Sequence, residues 1–454
     1  MSAIPGSLDT EQQPPMTVPL RHFILGLAFL LAGTTVGLGL VVDAIPGLGT
    51  VAHLHLLLAG WICLTIMGAM TQFVPVWSGI SLHSRRLANL QLLFVTVGLA
   101  GFIAALLLSS FVWVAVFGAV MLVGFWLFVY NIFRTLAEVE SYDVTERHFL
   151  LALLFFLAFS AFGVLLAISL SSPVLSSLPI AHAELLGAHV TLAVFGAVLT
   201  TVYGALYQLA TMFTQTELHG IDTHLQSFEE IGHPAGVVFL AVGRLFDTVF
   251  LAQVGGGLIL LAALSIAFVL GRKLYEMQVE WTPMHRRYAV IVPALFAWAV
   301  LSLPAWMTDP TAYEHLFGAA GSVYLLVLGV IGFVVLGTLY HVIPFIIWVH
   351  QYSDRLGLEE VPMIDDLYDH RLAAADFILI LTGTVLLVSS DLLLDTALVT
   401  GLGATLVTLG AFVFAVNMLL VVHHHGPHSV MRVVVGRPGL QRDRSDSEQT
   451  TAED

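Results

Sequence analysis

The chain has 454 residues, of which 58% are hydrophobic and 10% charged, and its mean hydropathy is +0.92. Soluble globular proteins carry roughly 25% charged residues, so this composition excludes a soluble domain and describes a polytopic membrane protein. A formal net charge of -15 excludes a basic nucleic-acid surface, and a lone cysteine, Cys63, excludes an internal disulfide or a thiolate metal cluster.

In chain order, residues 1–20 contain no Lys or Arg and a Pro14–Pro15 pair. They lack the basic start and apolar core of a cleaved signal and are expected to be disordered. Residues 21–425 hold about twelve apolar segments near the spanning length of about 20 residues. Their limits are 22–42, 52–76, 88–109, 111–133, 148–170, 182–213, 232–250, 252–271, 288–307, 313–348, 372–390 and 396–421. The runs are long and unalternated, so they predict helices rather than barrel strands. The seventh is the weakest, because it holds Arg244 and Asp247. Residues 426–454 form a polar tail ending "RDRSDSEQTTAED", expected to be disordered.

Basic residues set the expected orientation. With the N-terminus inside, Arg85, Arg86, Arg134, Arg147, Arg272, Lys273, Arg286, Arg287, Arg355 and Arg371 all fall on inner loops, and Arg244 alone breaks the pattern. Both termini are then expected in the cytoplasm, with the chain crossing the plasma membrane. This orientation gathers histidines near the outer face. His53 and His55 open the second segment, His182, Glu184 and His189 the sixth, and His315 the tenth.

The far ends of the same segments also match: "GAMTQFVPVW", "GALYQLATMF" and "GTLYHVIPFI". Aligning Gly68, Gly204 and Gly337 puts Gln72, Gln208 and His341 in one column. Without gaps, that register sets His53 opposite His189 and Ser322. A shifted register sets His55 opposite His315, and the sequence leaves both open. Either way the chain reads as three four-helix units.

Ionisable groups inside a membrane usually face an interior and mark a functional path, and neutral imidazole is the commonest side-chain metal ligand. Histidines from separate helices can grip haem iron from opposite faces. Haem is therefore the expected cofactor, with interfacial hydrogen bonding as the plain alternative for each His. Arg244 is expected to pair with Asp247 or to neutralise a haem propionate. Tyr203 and Tyr207 suit proton relay or interface anchoring. His341 and His350 suit headgroup level, and "VVHHHGPH" reads as a flexible tail.

Segments such as "HLHLLLAGWICLTIMGA" and "LYHVIPFIIWVHQYSDRLG" make the chain resemble a short, divergent branch of subunit I of the haem-copper oxidase superfamily, over about residues 20–420. That resemblance implies an all-α fold of twelve transmembrane helices in three pseudo-repeated arcs. It implies a low-spin haem held by His53 or His55 and by His315, and a second metal such as copper or iron. His182 or His189 matches the family's copper ligand on the sixth helix. The His pair late in the seventh helix has no counterpart in "GRLFDTVF", whose helix has only His233, at its other end. Tyr313 in "AYEHLFG" replaces the first of two tenth-helix histidines. The oxygen- or nitric oxide-reducing centre is then dismantled, or rebuilt with Glu184 and His189. The expected role is electron transfer or small-gas chemistry beside lipid, with an electron-donor protein or other respiratory subunits as partners and no nucleic acid. The alternative is a proton- or metal-handling transporter or assembly factor without haem.

Overall fold

The computed structural model describes residues 14–177, 179–394 and 396–435. Among the described residues, eleven helices are long and apolar enough to cross a membrane. They are α1 (Thr17–Val41), α2 (Gly49–Ser78), α3 (Arg85–Leu107), α4 (Phe111–Leu136), α5 (Val144–Ser169), α6 (His182–Thr214), α8 (Val249–Tyr275), α9 (Pro283–Thr308), α10 (Leu325–Gln351), α11 (His370–Leu394) and α12 (Ala397–His425). Between α6 and α8 lies α7 (Ile221–Leu245), equally long but more polar. The expected tails, 1–20 and 426–454, fall mostly outside the described residues.

Local chemistry sets several helix starts. The Ser84 hydroxyl accepts from the Leu87 N–H at the head of α3, and Asp143 and Glu146 form a reciprocal capping box on α5. The Asp369 carboxylate accepts from the N–H groups of Arg371 and Leu372 ahead of α11, and these bonds hold its pKa below the usual carboxylate range. Large apolar side chains such as Leu154, Phe250, Leu261, Phe296 and Phe412 stay exposed on the outside of the bundle, where lipid would cover them.

Two boundaries differ from the sequence expectation. The seventh helix runs Ile221–Leu245 rather than 232–250, because its polar residues point inward and find partners: Asp222, Glu229, His233 and Arg244 are all essentially buried. The tenth begins at Leu325, not near 313. The apolar stretch before it is an irregular loop with one short 3₁₀ turn, Tyr313–His315, and glycines at positive φ, Gly318 at 124° and Gly321 at 79°.

One pattern recurs three times. Helices α2, α6 and α10 each contain a π-helical stretch: Leu56–Cys63, Thr191–Leu199 and Leu325–Gly332. Each stretch ends five residues before the glycine of the aligned column, Gly68, Gly204 or Gly337. A Cβ on those glycines would meet, in turn, His22, His148 and Arg287 of the preceding helix, at 2.6, 2.4 and 3.2 Å. Each of these three side chains also bonds the carbonyl four residues earlier: His22 to Val18, His148 to Val144 and Arg287 to Pro283. Each then reaches the following odd-numbered helix, at Gln91, Glu229 and Asp376. Seven residues beyond these partners, Gly98, Gly236 and Gly383 let α3 and α4, α7 and α8, and α11 and α12 touch backbone to backbone. The groups are linked in sequence by α4 packing on α5 and α8 on α9, and α12 returns to pack on α1.

Candidate functional site

Near the starting ends of α2 and α6, His53 and His189 occupy matching positions. The His53 Nδ1 bonds the Gly33 carbonyl of α1 at 2.8 Å, and the His189 Nδ1 bonds the Phe159 carbonyl of α5 at 2.9 Å. In each case the ring lies over a glycine one turn further along. Built Cβ atoms on Gly37 and Gly163 would stand 2.5 and 2.9 Å from the respective Cε1. A carbonyl acceptor at Nδ1 fixes the proton there and leaves Nε2 with a lone pair, the usual arrangement of a metal-ligating imidazole. Among the described residues, neither Nε2 makes a hydrogen bond. His55 has the same form, with Nδ1 on the Val51 carbonyl at 2.8 Å and its ring 4.9 Å from Phe102, and it lies within electrostatic range of His189.

The third unit departs from this. The ungapped column places Ser322 where His53 and His189 stand, and its hydroxyl bonds the Ala319 carbonyl. Trp298 and Ser302 of α9 bind the backbone of Phe317 and Ala319, so here the loop, rather than an imidazole, is tied to the preceding helix. His315 sits in that loop rather than at the opening of α10, with Nδ1 2.6 Å from the Asp309 carbonyl.

Arg244 secures the same loop. Its guanidinium, 2% exposed, donates to the carbonyls of Pro310, His315 and Leu316 and to the Thr191 hydroxyl, at 2.8–3.1 Å, and lies over the Trp306 ring. The expected pairing with Asp247 is not made: among the described residues Arg244 joins no ion pair. Four of its five donors are spent on the protein, so it is a clamp between α6, α7 and the loop before α10.

The expected metal trio does not converge. His182, exposed at the first residue of α6, bonds Ser169 at 2.9 Å. Glu184 caps its own helix by accepting from the Ala181 N–H at 2.7 Å. His189 lies almost two turns deeper and faces α5. The one group of three ligand-type side chains that does gather among the described residues is His219, Asp222 and Glu276. Its charge is already met. Lys273 pairs with Asp222 and Glu276 at 3.1 and 2.6 Å, and Arg272 with the same two at 3.0 and 2.7 Å. Those cations hold the Glu276 carboxyl down to about 2.

The sequence reading named Tyr203 and Tyr207 but missed the buried polar groups around them and their counterparts toward the finishing ends of α6 and α10. Glu229 of α7 meets the His148 Nε2 at 3.1 Å, both wholly buried. Tyr203 and Tyr207 of α6 stand beside Glu229, the Tyr207 hydroxyl within its reach and the Tyr203 hydroxyl buried without a partner. The His233 ring lies 4.8 Å from Tyr203, with Nε2 on the Phe195 carbonyl of the π-helical stretch and Nδ1 unpartnered. The third unit repeats the scheme: Arg287 and Tyr340 both bind Asp376, and Asn417 donates to the Tyr340 hydroxyl at 3.1 Å. The first unit has a neutral version, His22 with Gln91 at 3.5 Å. The glycine column would have located these groups, since Tyr207 and Tyr340 follow Gly204 and Gly337 by three residues.

The finishing ends of α2, α6 and α10 also enclose a cavity of about 800 Å³. Gln72, Gln208 and His341, one column in the sequence, all line it; His53, His55, His182, His189 and His315 do not.

No protein-family model matches the chain, and no curated protein matches it.

Proposed function

We propose that the chain is a twelve-helix membrane protein of the oxidase-subunit-I type, built as three four-helix arcs, which binds haem iron in the half of the membrane where α2 and α6 begin and serves electron transfer. The observation that carries this reading is the matched pair His53 and His189. Each is tied at Nδ1 across helices to a backbone carbonyl and keeps a free Nε2. His148, by contrast, uses both ring nitrogens inside the bundle. The donor chemistry fits haem iron, which takes one or two neutral imidazole nitrogens. His55 is the further candidate ligand beside His189. His315, on a loop held by Arg244, is kept as a ligand only if the loop presents its Nε2 to the same iron.

When bound, haem would supply one-electron chemistry. The chain's own residues hold the ligand tautomer through Gly33 and Phe159, and π-helical stretches begin three residues after His53 and two after His189; such stretches recur at functional sites. The absent His pair on α7 argues against a haem–copper oxygen-reducing centre of the usual ligand set. We place the termini in the cytoplasm and the imidazoles toward the outer face, following the basic loops. Purified full-length protein should show a Soret band and a pyridine haemochrome, with haem content reduced in His53→Ala or His189→Ala. Unchanged haem in both variants and in His55→Ala and His315→Ala would refute the assignment.

A second reading has its own observation. The buried His148–Glu229 pair beside the hydroxyls of Tyr203 and Tyr207 is the kind of group that marks a proton path. A protein without any Soret absorption whose reconstituted proton flux is lost in Glu229→Gln would establish that reading instead.

A further inference from the structure

The haem reading leaves unused the cavity between the finishing ends of α2, α6 and α10. Its volume, about 800 Å³, falls within the range of roughly 300–1,000 Å³ typical of small-molecule sites. Gln72 is 1% exposed at its wall, and neither the oxygen nor the nitrogen of its carboxamide has a partner. Burying such a group unmet is costly, and an apolar side chain of the same size would relieve the cost. His341 hydrogen-bonds nothing among the described residues, whereas the adjacent His285 is spent on Thr282 and the Phe213 carbonyl.

Among the polar and aliphatic residues of the wall stand several aromatic rings. Phe73 and Trp77 stack at 4.4 Å and 4°, and Phe345 lies parallel to His341 at 5.8 Å and 17°. Phe213 closes on His341 at 4.3 Å. Deep in the wall, the Arg287 charge is matched by Asp376, and the other charged lining groups, Glu280, Arg286 and Asp365, are exposed or half-buried, so the buried part of the site offers stacking and neutral hydrogen bonds. A carboxamide presents one acceptor beside one donor. Its complement is a lactam edge, –NH–C=O, on a planar ring.

We propose that this cavity binds a neutral, planar heteroaromatic compound of two or three fused rings, its lactam edge paired with the Gln72 carboxamide and its ring stacked among the aromatic side chains. Water would satisfy the amide but would gain nothing from those walls. The site lies at the opposite end of α2 and α6 from the imidazoles and is independent of haem.

The probe is riboflavin, whose fluorescence is quenched on stacking with tryptophan or tyrosine. Full-length protein in detergent, titrated into riboflavin, should give saturable quenching. Affinity should fall by about tenfold or more in Gln72→Leu, the scale of losing a buried hydrogen-bonded edge. Gln72→Met serves the same purpose if the leucine variant does not fold. Haem content, read on the same samples, should not change. Absence of saturable quenching in the parent protein, or equal affinity in the Gln72 variant, would overturn the proposal, and neither result bears on the haem site.

Discussion

At the scale of single residues, the informative quantity is which atom of an imidazole is already committed. Nineteen histidines sit in the chain, and their identity alone does not separate ligand from strut. His148 and His285 use both ring nitrogens inside the protein, whereas His53 and His189 use one. The glycines beneath those two rings supply a sharper test than removing the rings. Gly37→Ala and Gly163→Ala each add one methyl group where the imidazole now lies. Both should displace the ring, lower haem content and leave helicity intact by circular dichroism; full haem retention in both would show that ring placement there is irrelevant. Buried pairs predict a different outcome. Removing one partner of a buried charged pair costs about 3–5 kcal/mol, while a neutral hydrogen bond costs about 1. In thermal or denaturant unfolding in detergent, Asp376→Ala and Glu229→Ala should therefore lose more stability than Gln91→Ala, although the three sit at matched positions. Equal losses would mean that the charges contribute nothing beyond hydrogen bonding.

Helices show what the sequence could and could not reveal. Eleven spans were legible because a run of apolar residues has the same meaning wherever it packs. The limits of α7 and α10 were not, for opposite reasons. In α7 the polar residues face inward to His148, Lys273 and backbone carbonyls, and hydropathy cannot distinguish a polar group facing water from one paired inside. Ahead of α10 the residues are apolar but irregular, because Arg244 and Trp306 bind their carbonyls in place of a helix ladder. His315 consequently moved from a helix to a loop. The Gln72, Gln208 and His341 column was legible from spacing alone, while the partners of Tyr207 and Tyr340 depend on α7 and α11 and have no local signal. The π-helical stretches left no trace in composition. Deleting Ala193 from the stretch Thr191–Leu199 would close the widened turn beyond His189 and restore ordinary α-helical winding there. Haem content should fall with helix content unchanged; an unaltered spectrum would remove any role for that stretch. Where α7 meets α8, a Cβ on Gly255 would stand 2.3 Å from the Leu240 nitrogen. Backbone cannot yield as a side chain does, so Gly255→Val should unfold the protein at a clearly lower temperature.

For the molecule as a whole, the repeated contacts describe one scheme used three times with different chemistry: neutral at Gln91, imidazole–carboxylate at Glu229, guanidinium–carboxylate at Asp376. Only α2 and α6 carry an imidazole at the aligned position near the starting end, whereas ahead of α10 a loop held by Arg244 precedes the helix. The clamp at Glu276 gives the bundle a pH dependence at one end. Its carboxyl is held near 2 in the folded protein, below the unfolded value of about 4.3. Stability from that clamp is thus fully present above pH 4.3 and drains away as pH falls toward 2. Amide exchange in the Thr214–Asp222 segment should quicken across that window, and Glu276→Gln should abolish the dependence.

The central claim is that α2 and α6 deliver imidazole to iron. The decisive measurement is the reduced-minus-oxidised spectrum of the purified full-length protein, with haem per chain counted by pyridine haemochrome, beside the His53→Ala and His189→Ala variants. The account predicts a low-spin haem signal in the parent and a marked loss of haem in at least one variant. A well-folded parent protein with no Soret band, expressed in cells supplied with haem, would contradict it.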